Sequence, residues 1–573
     1  MSDAKKDARR VPWGLLAILV LAAVLRLSQL ELVPMTNEMA GNGLTANLLV
    51  ASTPGTGWPL AGSLVEGVRG SSLFIYLVSL PNQIFWHPLT GVVLVGMLNV
   101  WAVYLAYGLA GRLFGNRAAV ATGLLMACSP WTVVYSRQLW SGSCLAIFSL
   151  WLIGMSLTWL SRGGSGRLAW MLILGLVLPQ VHFSGLSATA WLAVVIWIGR
   201  RRVSWTTAIT GVCFGLSTWT PWVVFHHIGG WTEFKNSLSI LGGKANPGRA
   251  ILDEINYLQS MLHSGRFDFW FGSAPADLPD FFPGWHQALL AASGLMMVVA
   301  VAAACLLAGK EGRALNRSDS SSNAQPTTGL LWLWVVLPLA GGMVYRSKVS
   351  PEHLLISLPV LLVLASATVG RCLDARRRAP RILAAGALGT IAVAHVLFLV
   401  SWNSYLDNDL ATPRGEYGLT FRQRRDVARW ILGDCDGQSI ELAGPFRGGH
   451  PAYEYVYYYE RSDRRMDRSD PVPDLRYWID EEPDGAQLNT AVSQSLKQQQ
   501  IGAILNRYQS TSSRWKIEKA HTLGDTRIYR IRLPAFETFR TASRGPATNS
   551  SKPRFFVAND SEQRSRWLIR RIN

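Results

Sequence analysis

The sequence predicts a polytopic α-helical membrane protein of about eleven spans with a C-terminal extracytoplasmic α/β domain. Three features predict it. Long uncharged apolar runs fill the stretch from Val11 to Trp402. Basic residues cluster in every second connection between those runs. Beyond Asn403 the chain regains the charge density and short strand-like patterns of a water-soluble unit. With only 16% of the 573 residues charged, apolar content concentrated in this way needs lipid as its solvent.

A membrane helix needs about 20 apolar residues. The runs that qualify are 12–30, 89–110, 118–135, 143–160, 168–181, 186–199, 206–225, 286–308, 329–345, 352–370 and 382–402. The run after Val11 has no small-residue cleavage site and is followed by further spans, so it is expected to be retained. The runs 168–181 and 186–199 are short and meet at a polar break, PQVHFSG, from Pro179 to Gly185. That break suits two helices meeting at membrane depth against a cavity, and equally a hairpin at the far surface.

Orientation follows from the arginines. Lys5, Lys6, Arg9 and Arg10 put the N-terminus in the cytoplasm. The basic connections then alternate: Arg112 and Arg117; Arg162 and Arg167; Arg200, Arg201 and Arg202; Lys310, Arg313 and Arg317; Arg371, Arg376, Arg377, Arg378 and Arg381. The C-terminal domain is therefore expected outside.

The expected organisation is a membrane domain over 1–403 with a first outside loop at 31–88, an extracytoplasmic domain over 404–535, and a basic polar tail at 536–573. In the first loop, LFIYLVSLPNQIFW reads as a helix at the membrane interface. The loop from His226 to Trp285 reads as an aromatic belt or a cavity cap, and NRSDSSSNAQPTTG as a flexible linker. In the exported part TFRQRRDVARWIL has helical period. SIELAG, GAILNRY and TRIYRIRL read as strands, the last pairing with WKIEKAH through a turn at Leu523–Asp525.

The net charge of +18 does not imply nucleic acid, because the arginines lie between apolar spans; membrane lipids are the expected partner. Cys128, Cys144, Cys213, Cys305, Cys372 and Cys435 form no CxxC pair, so neither a disulfide framework nor a cysteine zinc site is expected. No aspartate-rich motif asks for a divalent ion, and no cofactor is expected.

The chemistry-bearing residues concentrate on the outside. Glu38 follows the first span in LVPMTNEMAGNGL, in a segment that turns helical. Glu66 lies near the end of the first loop, with Arg69 behind it. Arg137 ends the third span in SPWTVVYSRQLW, and His182 marks the PQVHFSG break. Arg346, Lys348 and His353 precede the tenth span. A carboxylate there can act as a general base on a hydroxyl, and the cations can bind a lipid phosphate and stabilise it as it leaves. Each residue also has a plainer reading: Glu38 as a helix-terminus charge, Arg69 and Arg137 as headgroup anchors, His182 as a packed histidine. These features by themselves fit a transporter or a membrane transferase.

The order of LRLSQL, NEMAGNGL, GVRGSSLFIYLVSLP, GRLFGNRAAVATGLLMACSPWTVVYSRQLW, LPQVHFSGLSA, EHLLISLPVLLVLAS and GEYGLTFRQRRDVARWI resembles the bacterial branch of glycosyltransferase family 39. That group includes protein O-mannosyltransferases and the aminoarabinose transferase of lipid A. The resemblance implies the C-type glycosyltransferase fold in a bacterial inner membrane. It implies inverting transfer from a polyprenyl-phosphate sugar donor to a lipid, glycan or protein hydroxyl outside the cytoplasm. It also carries a departure. The family's first loop has an Asp-Glu pair whose aspartate is the base, and Asn37 stands where that aspartate would be. An amide accepts no proton at neutral pH, so Glu38 or Glu66 takes the role, or the pair is shifted, or the chain is an inactive lipid-phosphate-binding scaffold. A transporter would instead carry charges inside its spans and repeated halves, and neither is evident.

Overall fold

The computed structural model describes residues 13–51, 61–65, 68–71, 73–85, 87–228, 230–231, 234–235, 247–263, 281–315, 327–345, 351–407, 417–435, 440–443, 451–460, 475–481, 516–523 and 526–532. The membrane part comprises α1 (Trp13–Leu27), α2 (Asn37–Ala51), the hairpin β1 (Ala61–Val65) and β2 (Val68–Ser71), and α3 (Leu73–Asn82). It continues with α4 (Thr90–Phe114), α5 (Asn116–Cys128), α6 (Pro130–Tyr135), α7 (Leu145–Arg162), α8 (Ser165–Val181) and α9 (Gly185–Ile198). Then come α10 (Trp205–Ser217), α11 (Thr220–Ile228), α12 (Pro247–His263), α13 (Gly284–Leu315), α14 (Thr327–Tyr345), α15 (Leu358–Leu373) and α16 (Arg378–Asp407).

Each expected apolar run falls mostly in helix, with breaks inside 118–135 and 206–225 and a 3-10 turn opening 352–370. Among the described residues four helices are long and apolar enough to cross a membrane alone, and α10 with α11, bent by 49°, makes a fifth. The other apolar helices are 10–17 residues long. Lipid is the solvent the surface calls for. On α1 the outward Leu16, Val20 and Val24 are as apolar as the inward Leu15, Ile18 and Ala22. Inside the bundle, buried indoles find carbonyls: Trp191 Nε1 donates to Leu330 O at 2.7 Å and Trp334 Nε1 to Ile356 O at 3.0 Å.

The run 118–135 was expected as one helix, and the structure breaks it at Ser129. Pro130 opens α6 and has no N–H to give Met126 O, its partner four residues back. The freed carbonyl is taken up by Thr132 Oγ1 at 2.8 Å and by the Arg26 guanidinium at 2.9 Å. Arg26, 1% exposed, also donates to Ala127 O at 3.0 Å, so one side chain closes the C-terminus of α5.

The C-terminal part holds α17 (Phe421–Asp434), β3 (Ile440–Ala443), α18 (Pro451–Glu460), β4 (Leu475–Glu481), β5 (Lys516–Leu523) and β6 (Thr526–Arg532). The sheet order is β3-β4-β6-β5, with β3 and β4 parallel and the other pairs antiparallel. The β5–β6 pairing matches the sequence expectation; α18 and β4 were not anticipated, and GAILNRY lies outside the described residues. Helix α17 starts with a capping box between Thr420 and Gln423. Its last residue, Asp434, ties it to the sheet by accepting from Tyr477 Oη at 2.8 Å, from Arg530 at 3.1 Å and from Lys519. Burial alone would raise the Asp434 pKa, but the bonds from Lys519, Tyr477 and Arg530 outweigh it and hold the carboxyl below its usual range.

Candidate functional site

Helix α2 carries Asn37 and Glu38 in its first turn. It starts there because Thr36 Oγ1 accepts the Met39 N–H at 3.3 Å. Glu38 is then a carboxylate at a helix N-terminus, where the dipole favours its charged form. The approach to α2 is clamped by the C-terminal part of the chain. Phe421 N donates to Val33 O at 2.8 Å, Met35 N to Leu419 O at 3.0 Å, and Tyr417 Oη to Leu32 O at 2.8 Å. Outside that clamp Arg425 holds Glu31 through both oxygens, at 2.7 and 2.9 Å. The hydrogen bond from Arg425 lowers the Glu31 pKa.

Asn37 is used structurally: its Oδ1 accepts the Ala452 N–H at 3.3 Å, in the first turn of α18. A turn further along, α2 and α18 are in such close contact that a Cβ on Gly43 would lie 2.5 Å from the Tyr455 ring. The second face of α2 meets the turn after α6. Asn42 Nδ2 donates to Leu139 O at 3.2 Å. Glu38 lies four residues before Asn42 and so falls on the same face of α2.

Arg137 itself is 3% exposed and committed to protein oxygens. One Nη donates to Ser28 O and Gln29 O at 3.1 and 2.7 Å, the other to Asn403 Oδ1 at 3.1 Å. It ties the end of α1 to α16 and fixes the turn against which α2 packs.

His182 and His353 come together. Their ring centroids are 5.6 Å apart, with Phe183 at 4.3 Å from His353 and Trp140 at 5.1 Å from His182. Ser184 meets His182 Nδ1 twice, with its N–H donating at 3.3 Å and its Oγ at 2.9 Å. Trp140 continues through Tyr135, at 6.2 Å, into the SPW segment. Three segments far apart in the chain thus converge on one aromatic cluster.

The break that carries His182 is held open by specific substitutes. Pro179 inside α8 leaves Gly175 O without its helical donor, and Thr189 Oγ1 from α9 supplies one at 2.8 Å. The α8–α9 corner also needs a glycine. A Cβ on Gly185 would sit 2.3 Å from Leu178 O and 2.6 Å from Pro179 N, both backbone atoms. Gly185→Ala is therefore expected to destabilise the protein by about 1–3 kcal/mol, read as a lower unfolding temperature in detergent.

Arg69 sits on β2 opposite Leu64, and β2 packs on α8 and α11. Glu66, Arg346 and Lys348 lie outside the described residues. The sequence reading missed Arg26, Asn42, Asn403, Thr189 and Tyr455. A polar residue within an apolar run, as at Arg26, was the available signal for one of them.

No protein-family model matches the sequence, and no curated protein does. Among solved structures the chain is similar to the aminoarabinose transferase ArnT from Cupriavidus metallidurans, determined bound to undecaprenyl phosphate. The TM-score is 0.52 at 11% identity, over 90% of this chain and 97% of that one. It also matches the Archaeoglobus fulgidus oligosaccharyltransferase, with TM-score 0.41 at 13% identity over 82% of this chain and 68% of that one, too distant in superposition to bear on the fold. The ArnT likeness, spanning nearly the whole chain, shows that the chain shares the fold of the C-type membrane glycosyltransferases, and its long apolar helices suit a membrane.

Proposed function

We propose that the protein transfers a sugar from a polyprenyl-phosphate donor to a hydroxyl of a lipid, glycan or protein acceptor on the extracytoplasmic side of the membrane. The observation that carries this reading is the fold likeness, over 90% of the chain, to a transferase solved with undecaprenyl phosphate bound. The position of Glu38 at the N-terminus of α2 supports it locally.

In this mechanism the Glu38 carboxylate takes the proton of the acceptor hydroxyl. The acceptor oxygen forms the new bond to the anomeric carbon from the side opposite the phosphate, inverting its configuration. The bond from that carbon to the phosphate oxygen breaks, and the electron pair leaves with the polyprenyl phosphate. Arg69, Arg346 and Lys348 neutralise the leaving group, and Glu66 assists Glu38. His182 and His353 contact the donor as neutral rings. Arg137 acts through position, since its guanidinium already serves Ser28, Gln29 and Asn403. Purified protein given undecaprenyl-phosphate sugars with a labelled sugar should form labelled product and release undecaprenyl phosphate. A panel of donors that bind and are never turned over would refute the reading.

A second reading, lipid-phosphate binding without transfer, is favoured by Asn37, whose amide caps α18 and accepts no proton. The two separate at Asn37→Asp. A carboxylate keeps the cap and suits the helix N-terminus, so an active enzyme should change by less than about threefold in rate. Transfer that appears only in Asn37→Asp would instead assign the base to position 37.

A further inference from the structure

We infer that the end of the bundle where α7 and α9 finish binds the headgroup of an anionic phospholipid. From Gly67 to Thr232 the chain contains no aspartate or glutamate. The elements built from that stretch therefore bring arginines to one end with no carboxylate of their own to neutralise them. The ends are close together. A Cβ on Gly199 would lie 2.3 Å from the Trp159 ring, so the exit of α9 is pressed onto the last turn of α7. Arg202 donates to Leu160 O and Arg112 to Thr158 Oγ1 at 3.3 Å, both on α7. Arg162, Arg200 and Arg201 stand beside them, exposed. No ion pair holds these three among the described residues. The neighbouring corner differs: there Arg117 is paired with Asp374 at 3.1 Å.

The surface next to these arginines is built for a membrane interface. Trp197 is 68% and Trp205 76% exposed, and the Arg200 guanidinium lies 4.8 Å from the Trp197 ring centroid. Exposed indoles mark headgroup depth, so the guanidinium groups face phosphates of the adjoining leaflet with acyl chains alongside the rings. Guanidinium pairs well with phosphate, and each cation near an anionic leaflet adds to the attraction. The occupant that fits is thus a glycerophospholipid with net negative charge, such as phosphatidylglycerol, held at its phosphate by Arg162, Arg200 and Arg201.

The test uses the full-length protein in nanodiscs made from equal parts phosphatidylglycerol and phosphatidylcholine, followed by detergent extraction and mass spectrometry of the retained lipid. Wild type should retain phosphatidylglycerol in preference to phosphatidylcholine, and the preference should weaken at high salt. The triple variant R162Q/R200Q/R201Q spares Arg202, which joins α9 to α7 through Leu160 O, gives up only the exposed bond from Arg200 to Trp197 O, three residues away, and should lose at least about fivefold of the retained phosphatidylglycerol. R117Q, at the paired corner, should retain as much as wild type. Retention in the membrane ratio by wild type, or an unchanged preference in the triple variant, would overturn the assignment. So would an equal loss in R117Q, which would mean diffuse charge attraction without a site. None of these outcomes depends on sugar transfer.

Discussion

Glu38→Gln is expected to lower sugar transfer by at least about tenfold, toward the 10²- to 10⁴-fold that a positioned general base contributes. Glutamine keeps the size of the side chain and its place in the first turn of α2, while removing the one property the chemistry needs, a proton-accepting oxygen. Donor binding should be little affected, because the proposed mechanism assigns the phosphate to cations on other segments. A fall in kcat with KM for the donor unchanged is therefore the signature. Glu38→Asp is the informative companion. It keeps the charge, withdraws the oxygens by one methylene, and should restore only part of the rate, since geometry limits a base as strictly as its pKa does. Full activity in Glu38→Gln would remove this residue from the mechanism and move attention to Glu66.

Arg26→Met should be the most destabilising single change in the membrane part, by about 2–4 kcal/mol. The guanidinium holds Met126 O and Ala127 O at the end of α5, together with Ala22 O and Thr132 Oγ1, where little water can take its place. A methionine fills similar volume and donates nothing, so Ala127 O loses its guanidinium donor, while Met126 O keeps Thr132 and Ala22 O keeps its place in the α1 ladder. The α5–α6 corner leads directly into the turn of Arg137 and Leu139, on which α2 rests through Asn42. The expected result is a lower unfolding temperature in detergent accompanied by reduced transfer in whatever protein remains folded. Arg26→Lys should fall in between, because a single ammonium cannot span the carbonyls that the planar fork reaches together. A stability equal to wild type in Arg26→Met would mean that water replaces the guanidinium at this depth.

The membrane helices, their order and the pairing of β5 with β6 were legible in the sequence. Each rests on a local pattern: an uncharged run long enough to need lipid, a proline and a histidine interrupting such a run at Pro179 and His182, alternation in TRIYRIRL. Tertiary structure alone decided what the polar residues do. Arg137 reads as a free cation at a helix end until Ser28, Gln29 and Asn403 close around it. Asn37 reads as a lost acid until Ala452, from a helix the sequence did not announce, supplies its N–H. His182 and His353 become one cluster only when α8, α9 and the segment before α15 pack together. The physical reason is the range of the forces involved. Transfer from water to lipid depends on the composition of a single segment and can be summed along the chain. A hydrogen bond depends on atoms about 3 Å apart, and which distant residue arrives at that distance is set by the packing of the whole bundle.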